Sequence, residues 1–425
     1  MVNRRQFRVL VPAVIVLIAT ASEAATLTVG SGGKFDYSTI QAAIDDAANG
    51  DEILVAPGTY TGSGSTPVVN TRGKAIHVHS AYGPEVTIID GQGSRQCLRI
   101  TKGEGNSTIV EGFTIRNGSM PSGSGGGGGV QIFWSSPVIR DCAFLDNQAN
   151  DWEWYGGKGG GAYIRGGASV FESCVFSNNS TDANGGGLYL GDGCSVTLNQ
   201  STLSYNTAMK GGGVYLTGQS TLILMDATIA SNSAQYYGGG AYLVNFSLLQ
   251  LEQCTIRFNW AGDAGGAIYN QCANFQVQGS SFKNNSASNM GGAIGANCGD
   301  GVVQACTFNE NLASMGSAIY IESVASISLS GSTFCGSGLE PIDGDYADKG
   351  GNNIFSSCSI GACCTNEICI LLDVETCVLV GGSHQGVDTD CLVEGCPTTC
   401  FDVNGDGQVG VDEILYVIEH FGVCP

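Results

Sequence analysis

DANGGGLYL, residues Asp182–Leu190, is one of several near-copies of a single phrase. AQYYGGGAYL fills Ala234–Leu243, and SASNMGGAI fills Ser286–Ile294. Aligned on the glycines, the first apolar residue falls at Val130, Ala162, Leu188, Val214, Ala241, Ile268, Ile294 and Ile319. After a first, longer gap the steps are 26, 26, 27, 27, 26 and 25. A second signature keeps the same rhythm, as FLDN at Phe144, FSNN at Phe176, LSYN at Leu203, IASN at Ile229, IRFN at Ile256, FKNN at Phe282 and FNEN at Phe308. A period in the twenties built from short β-type segments predicts a solenoid. Its units stack because none can bury its own apolar face.

Alternation assigns the faces. Positions one and three after the glycines are mostly aliphatic, as in Leu188 and Leu190 or Val214 and Leu216, and are expected to point inward. Cys142, Cys174, Cys254 and Cys306 each stand two residues before the large apolar residue, so they are expected inside as small core residues. The Asn that closes each FxxN recurs at 147, 179, 206, 232, 259, 285 and 311. Asn tolerates left-handed backbone, and its amide can bond the coils above and below.

This pattern resembles the right-handed parallel β-helix of pectin-lyase-like proteins. The pairing of GGAI with FxxN is similar to the repeats of bacterial polymorphic outer-membrane proteins. STIQAAIDDAANGDEILVAPGTYTG, Ser38–Gly62, resembles the entry of many secreted β-helix proteins. Read physically, Ser38 caps a short helix that places Ile40 and Ile44 on one side and shields the open end of the solenoid. The resemblance spans about Thr26 to Cys358 and implies a fold rather than an activity, since lyases, hydrolases and adhesins share it.

The 425 residues are 43% apolar and 13% charged, which is enough to bury a core. Arg4, Arg5 and Arg8 precede an apolar run from Val9 to Ala19, and Ser22-Glu23-Ala24 offers small residues for cleavage. Residues 1–24 are therefore read as an export signal, with NRRQF partly matching a twin-arginine signal. Removing them takes away three arginines and one glutamate, so the net charge moves from −21 to −23. An acidic chain argues against nucleic acid and anionic lipid as partners, and no later stretch is apolar enough to span a bilayer. The protein is expected to be exported, to the cell surface or beyond it, with the periplasm as the alternative.

Nine of the 18 cysteines lie between Cys97 and Cys335, and nine crowd into Cys358–Cys424. The change in density predicts a boundary near residue 357, with the β-helix over residues 25–357. A disulfide-stapled module over 358–396 follows, because so small a core needs cross-links. Zinc on Cys363, Cys364, Cys369 and His384 is the competing reading of that module.

The outward columns test for catalysis. Asp141 and Asp226 share a column but stand three coils apart, about 14 Å at strand spacing, too far for a hydrolytic carboxylate pair. The four histidines show no partner spacing, and no cluster of acids beside a base stands out. A second outward column is nearly all tyrosine, with Tyr163, Tyr189, Tyr215, Tyr242, Tyr269 and Tyr320. The loop edge beside it carries Trp152, Trp154, Tyr155, Tyr236, Tyr237 and Trp260, the first three on an insertion of about six residues. Two readings stand side by side. Tyrosines favour strands and stack on each other, or the flat rings offer a surface for sugars. On the second, Trp152, Trp154, Tyr155, Tyr189, Tyr215, Tyr236, Tyr237, Tyr242 and Trp260 form a glycan-binding face.

CFDVNGDGQVGVDEILYVIEHFGVC, Cys400–Cys424, matches a calcium-loop pattern. Asp402, Asn404 and Asp406 supply oxygens, Gly407 allows the turn, Gln408 offers its carbonyl, and Glu413 can bind bidentately. The segment, with its following helix over residues 397–425, resembles one repeat of a type I dockerin or half of an EF-hand pair. A Ca²⁺ cofactor and a cohesin-type partner are what that resemblance implies. A single loop, a Glu413 where dockerins commonly have Asp, and no incoming helix depart from the pattern. The sequence thus predicts an all-β, right-handed parallel β-helix with a capping helix, a Cys-rich module and a calcium loop. Its expected role is a non-catalytic surface or matrix protein that binds glycans or partner proteins. The alternative implied by the fold resemblance is a polysaccharide lyase or glycoside hydrolase.

Overall fold

The computed structural model describes residues 24–63, 67–120, 125–150, 157–336 and 340–355, and the backbone of three further strands between 360 and 384. One coil shows how the repeat is built. The triplet Gly185–Gly187 leads into strand Leu188–Gly191, followed by Ser195–Asn199, Thr202–Ser204 and Thr207–Lys210, and then the next glycines. All strands of the solenoid pair in parallel with their equivalents one coil away. Leu188 pairs with Val214, Val214 with Ala241, Ala241 with Ile268, Ile268 with Ile294, and Ile294 with Ile319. Among the described residues the coils form a 22-stranded, a twelve-stranded and a six-stranded sheet. The largest joins two faces, because Ile294–Gln304 and Ile319–Ser330 cross their corner without a break. Among the described residues the register is that of a parallel β-helix of twelve coils.

The glycine triplet has a steric cause. Gly185 has φ +71°, and a Cβ there would sit 2.3 Å from the Leu188 carbonyl oxygen. At Gly187 the backbone is ordinary, but a Cβ would come within 2.6 Å of the Gly213 carbonyl in the next coil. The coils therefore touch backbone to backbone at this corner.

The inward columns fill one continuous core. Leu188, Leu190, Val196, Leu198 and Leu203 are all fully buried. Phenylalanines stack along the axis, with ring centroids 4.6 Å apart for Phe144 and Phe176 and 4.8 Å for Phe282 and Phe308. Cys142, Cys174, Cys254 and Cys306 are buried free thiols, as the alternation predicts. The Cys174, Cys254 and Cys306 thiols bond the carbonyl two residues earlier at 3.4, 3.3 and 3.2 Å. Ser201 and Ser280 occupy the same site in other coils and make the same bond at 2.8 and 3.0 Å. Burial pushes the thiols up, Cys306 to about 11 and Cys174 to about 12. Cys272 and Cys298 instead form a disulfide at the surface.

The asparagines form the expected internal ladder, but their backbone corrects the expectation. The left-handed residue is the one before each Asn, including Asp146, Asn178, Tyr205, Ser231, Phe258, Asn284 and Glu310. That conformation turns the Tyr205 N–H toward the Ala230 carbonyl of the next coil, at 3.2 Å. A second row of left-handed residues, such as Gln200 and Gln253, turns the preceding corner in the same way.

At the N-terminal end, helix Ile40–Asp46 buries Ile40, Ala43 and Ile44 in the same core. Its N-cap is Thr39, which accepts from the Ala42 N–H at 3.2 Å, and not Ser38. Register explains the shift by one, since the hydroxyl must sit three residues before the donor it satisfies. Lys74 Nζ closes the other end by donating to the Ile44, Asp45 and Ala47 carbonyls at 2.6–2.8 Å. No helix among the described residues is long and apolar enough to cross a membrane. Beyond the coils, Ile360–Thr365 pairs antiparallel with Ile368–Asp373 and with Ser383–His384.

Candidate functional site

The tyrosine column is in the predicted register, with Tyr163, Tyr189, Tyr215, Tyr242 and Tyr269 as successive partners. Its rings are spent on each other. Tyr189 and Tyr215 stack at 5.1 Å, Tyr215 and Tyr242 at 5.1 Å, and Tyr242 and Tyr269 at 5.8 Å. Tyr237 covers Tyr269 at 4.8 Å, and Tyr242, Tyr269 and Ala264 become a small apolar cluster outside the main sheet. Lys210 Nζ sits 5.5 and 5.3 Å from the Tyr237 and Tyr242 ring centres. Burial pushes the Tyr242 and Tyr189 phenols up, and the Asp263 carboxylate raises that of Tyr237. Tyr242 is only 2% exposed, which corrects its place on a sugar-binding face. Tyr189, Tyr215 and Tyr237 are half-buried and offer edges rather than faces.

Four of the exposed aromatics lie within the FxxN signature or between it and the next glycines, and others, such as Trp134 and Phe246, lie elsewhere. Tyr236 is 40% and Trp260 45% exposed, as expected for an open edge. Tyr205 and Phe258, which the sequence reading did not select, are 61% and 50% exposed. Both belong to the left-handed column, because Ser204, Ala230 and Arg257 are successive partners and Tyr205, Ser231 and Phe258 follow them. Two coils separate Tyr205 from Phe258, about 9.6 Å at strand spacing. Trp260 follows on the same side of buried Asn259 and pairs with Ser233. The signal was visible in the third letter of FxxN, where D, N, S and E are interrupted by Y in LSYN and F in IRFN. Trp152, Trp154 and Tyr155 lie outside the described residues, as do Asp402, Asn404, Asp406, Gln408 and Glu413.

A second group overturns the reading that the histidines lack partners. His77 and His79 alternate around buried Val78 and face outward together, stacked at 4.5 Å between ring centres. Strand Glu52–Val55 pairs on one side and Ile109–Glu111 on the other. His79 Nε2 lies 2.8 Å from Glu52 Oε1, and His77 Nε2 lies 3.0 Å from Glu111 Oε2. Arg140 Nε approaches the same Glu111 oxygen at 3.4 Å. The HVHS alternation was the available signal. The glycine alignment begins only at Val130, so it never carried these early coils into register.

Residues 149–295 match the family described as the right handed beta helix region. Two solved structures are similar in outline. A pectin methylesterase from carrot matches at TM-score 0.34 and 10% identity, over 80% of this chain and 91% of that one. The pectate lyase Pel9A matches at TM-score 0.39 and 13% identity, over 79% and 80%. No curated protein matches the chain. Register and family match together make the class a right-handed parallel β-helix. What the chain does with that fold rests on its own surface.

Proposed function

We propose that this is an exported β-helix protein that holds polysaccharide, without cutting it, along the edge that runs from Tyr205 and Phe258 through Trp260 to Tyr236. The observation that carries the reading is the backbone of Tyr205 and Phe258. A left-handed L-residue costs roughly 1–2 kcal/mol, and Asn or Gly is the easy choice there. Here two large rings occupy that conformation and point into solvent. They gain little for the fold, so their use is to meet something from outside. Flat rings spaced along an open edge suit the apolar faces of sugar rings.

Export rests on the pattern of residues 1–24, and a Ca²⁺-ordered C-terminal segment on the Asp402–Glu413 loop pattern. A second reading, polysaccharide cleavage, draws on Glu85, Glu111 and Asp141, which line one shallow depression. Affinity electrophoresis through gels cast with acidic and neutral polysaccharides decides between them. The parent protein is expected to be retarded, and Phe258→Ala and Trp260→Ala to run freely. Equal retardation of parent and variants ends the binding reading. Unsaturated or reducing ends in the same gels would favour cleavage.

A further inference from the structure

We propose that Glu52, His77 and His79 form a binding site for a first-row divalent cation, Zn²⁺ being the best match. One nitrogen from each ring and one carboxylate oxygen lie within 4.8 Å of one another. Two neutral imidazoles and a carboxylate are the donor set that zinc takes, and imidazole disfavours calcium or magnesium.

Three features distinguish this group from a ladder of surface ion pairs. First, His79 Nε2 is buried and has no hydrogen-bond partner, although Glu52 Oε1 is 2.8 Å away. The approach is out of line for an N–H···O bond. Two lone-pair donors that converge on a shared third point meet in this way. Second, Glu111 bonds His77 Nε2 at 3.0 Å. The tautomer that donates Nε2–H to Glu111 leaves the lone pair on Nδ1, and a carboxylate behind a ligating imidazole is the usual orienting partner. Arg140 Nε stands 3.4 Å from the same carboxylate, an ion-pair contact without a hydrogen bond. Third, the ligands stand on rigid elements. Glu52 and His77 are paired residues of adjacent strands, and Ile53 and Val78 anchor both strands in the core.

A cation here would tie consecutive coils of the N-terminal end together. Glu52 and His77 remain partly open to solvent, so water could complete the shell of a bound cation. The site is independent of the aromatic corner, and either can fail without the other.

Calorimetric titration of Zn²⁺ into the chelator-stripped full-length protein, with Ca²⁺ present in excess, tests the proposal. Glu52→Gln and His79→Gln are each expected to weaken one binding event at least tenfold while the melting curve stays that of the parent. An isotherm unchanged in both variants overturns it. A second measurement needs no variant. Co²⁺ added to the parent protein is expected to shift the ring proton resonances of His77 and His79 by NMR. If those signals stay in place at saturating Co²⁺, the site does not exist, whatever the variants do.

Discussion

Asn179 donates its side-chain amide to Asn206 one coil away, Nδ2 to Oδ1 at 3.0 Å, and its backbone N–H reaches the same oxygen at 3.0 Å. Asn206 repeats the gesture toward Asn232, and six such amide contacts run from Asn147 to Asn311 at 2.9–3.0 Å. Each Nδ2 also bonds a carbonyl in the preceding coil, such as Phe144 O from Asn179. Inside a dry core, such a chain is worth most when every member is satisfied.

Asn206→Ala therefore strands the Asn179 N–H and leaves the Phe176 carbonyl without its donor. The expected loss is about 3 kcal/mol, the sum of one or two orphaned buried groups. Urea denaturation followed by circular dichroism checks it. A change below about 0.5 kcal/mol, the low end for a single net hydrogen bond, would mean that the ladder relaxes around the gap.

At the corner the sign reverses. Tyr205→Asn places a residue that accepts left-handed backbone where a bulky ring now sits, and is expected to stabilise by up to about 1 kcal/mol. Its denaturation midpoint should rise or hold while retardation by polysaccharide falls. A variant that loses stability would show that the ring serves the fold.

Buried thiols make the core sensitive to alkali. An ordinary thiol titrates near 9, whereas burial holds Cys306 near 11 and Cys174 near 12. Above pH 9 the unfolded chain sheds these protons and the folded one keeps them. The unfolded state then binds fewer protons, so stability is complete below pH 9 and is lost as pH climbs toward 11 and beyond. The buried phenols shift the same way, Tyr269 to about 12. Cys306→Ser should stay within about 1 kcal/mol of the parent at pH 7, since Ser280 already fills that site one coil earlier, and should flatten the decline above pH 9. Denaturation midpoints measured from pH 7 to 11 decide it.

The proposed calcium loop gives a prediction for the other end of the chain. Limited proteolysis is expected to cut within residues 397–425 when a chelator is present and to spare that segment in Ca²⁺, while the coils resist under both conditions. Equal cutting would remove calcium from the account.

The period, the inward columns and the asparagine ladder were legible because like side chains return at a nearly constant spacing. The local turn was less so. Asn206 suggested its own left-handed backbone, yet Tyr205 carries it, because the Asn must stay extended to aim its amide along the axis. Tyr242 read as outward and is outward, but Tyr237 and Met290 from neighbouring segments cover that face. Periodicity within one strand cannot report a cover supplied by another. The histidine cluster escaped for a different reason. The step along the chain from Glu52 to its partner His77 is shorter than the step from His79 to its partner Glu111. Coils of uneven length hide such contacts from any fixed period.

The opposite fates of the cysteines bear on how the chain reaches its final state. Among the described residues, six are withdrawn into the interior as free thiols, while Cys272 and Cys298 are joined at the rim. In an oxidising medium, growth of the solenoid becomes a race against the oxidant. Each cysteine-bearing coil that docks removes a sulfhydryl from the pool of wrong partners, so speed of assembly itself acts as the guard against scrambled cross-links.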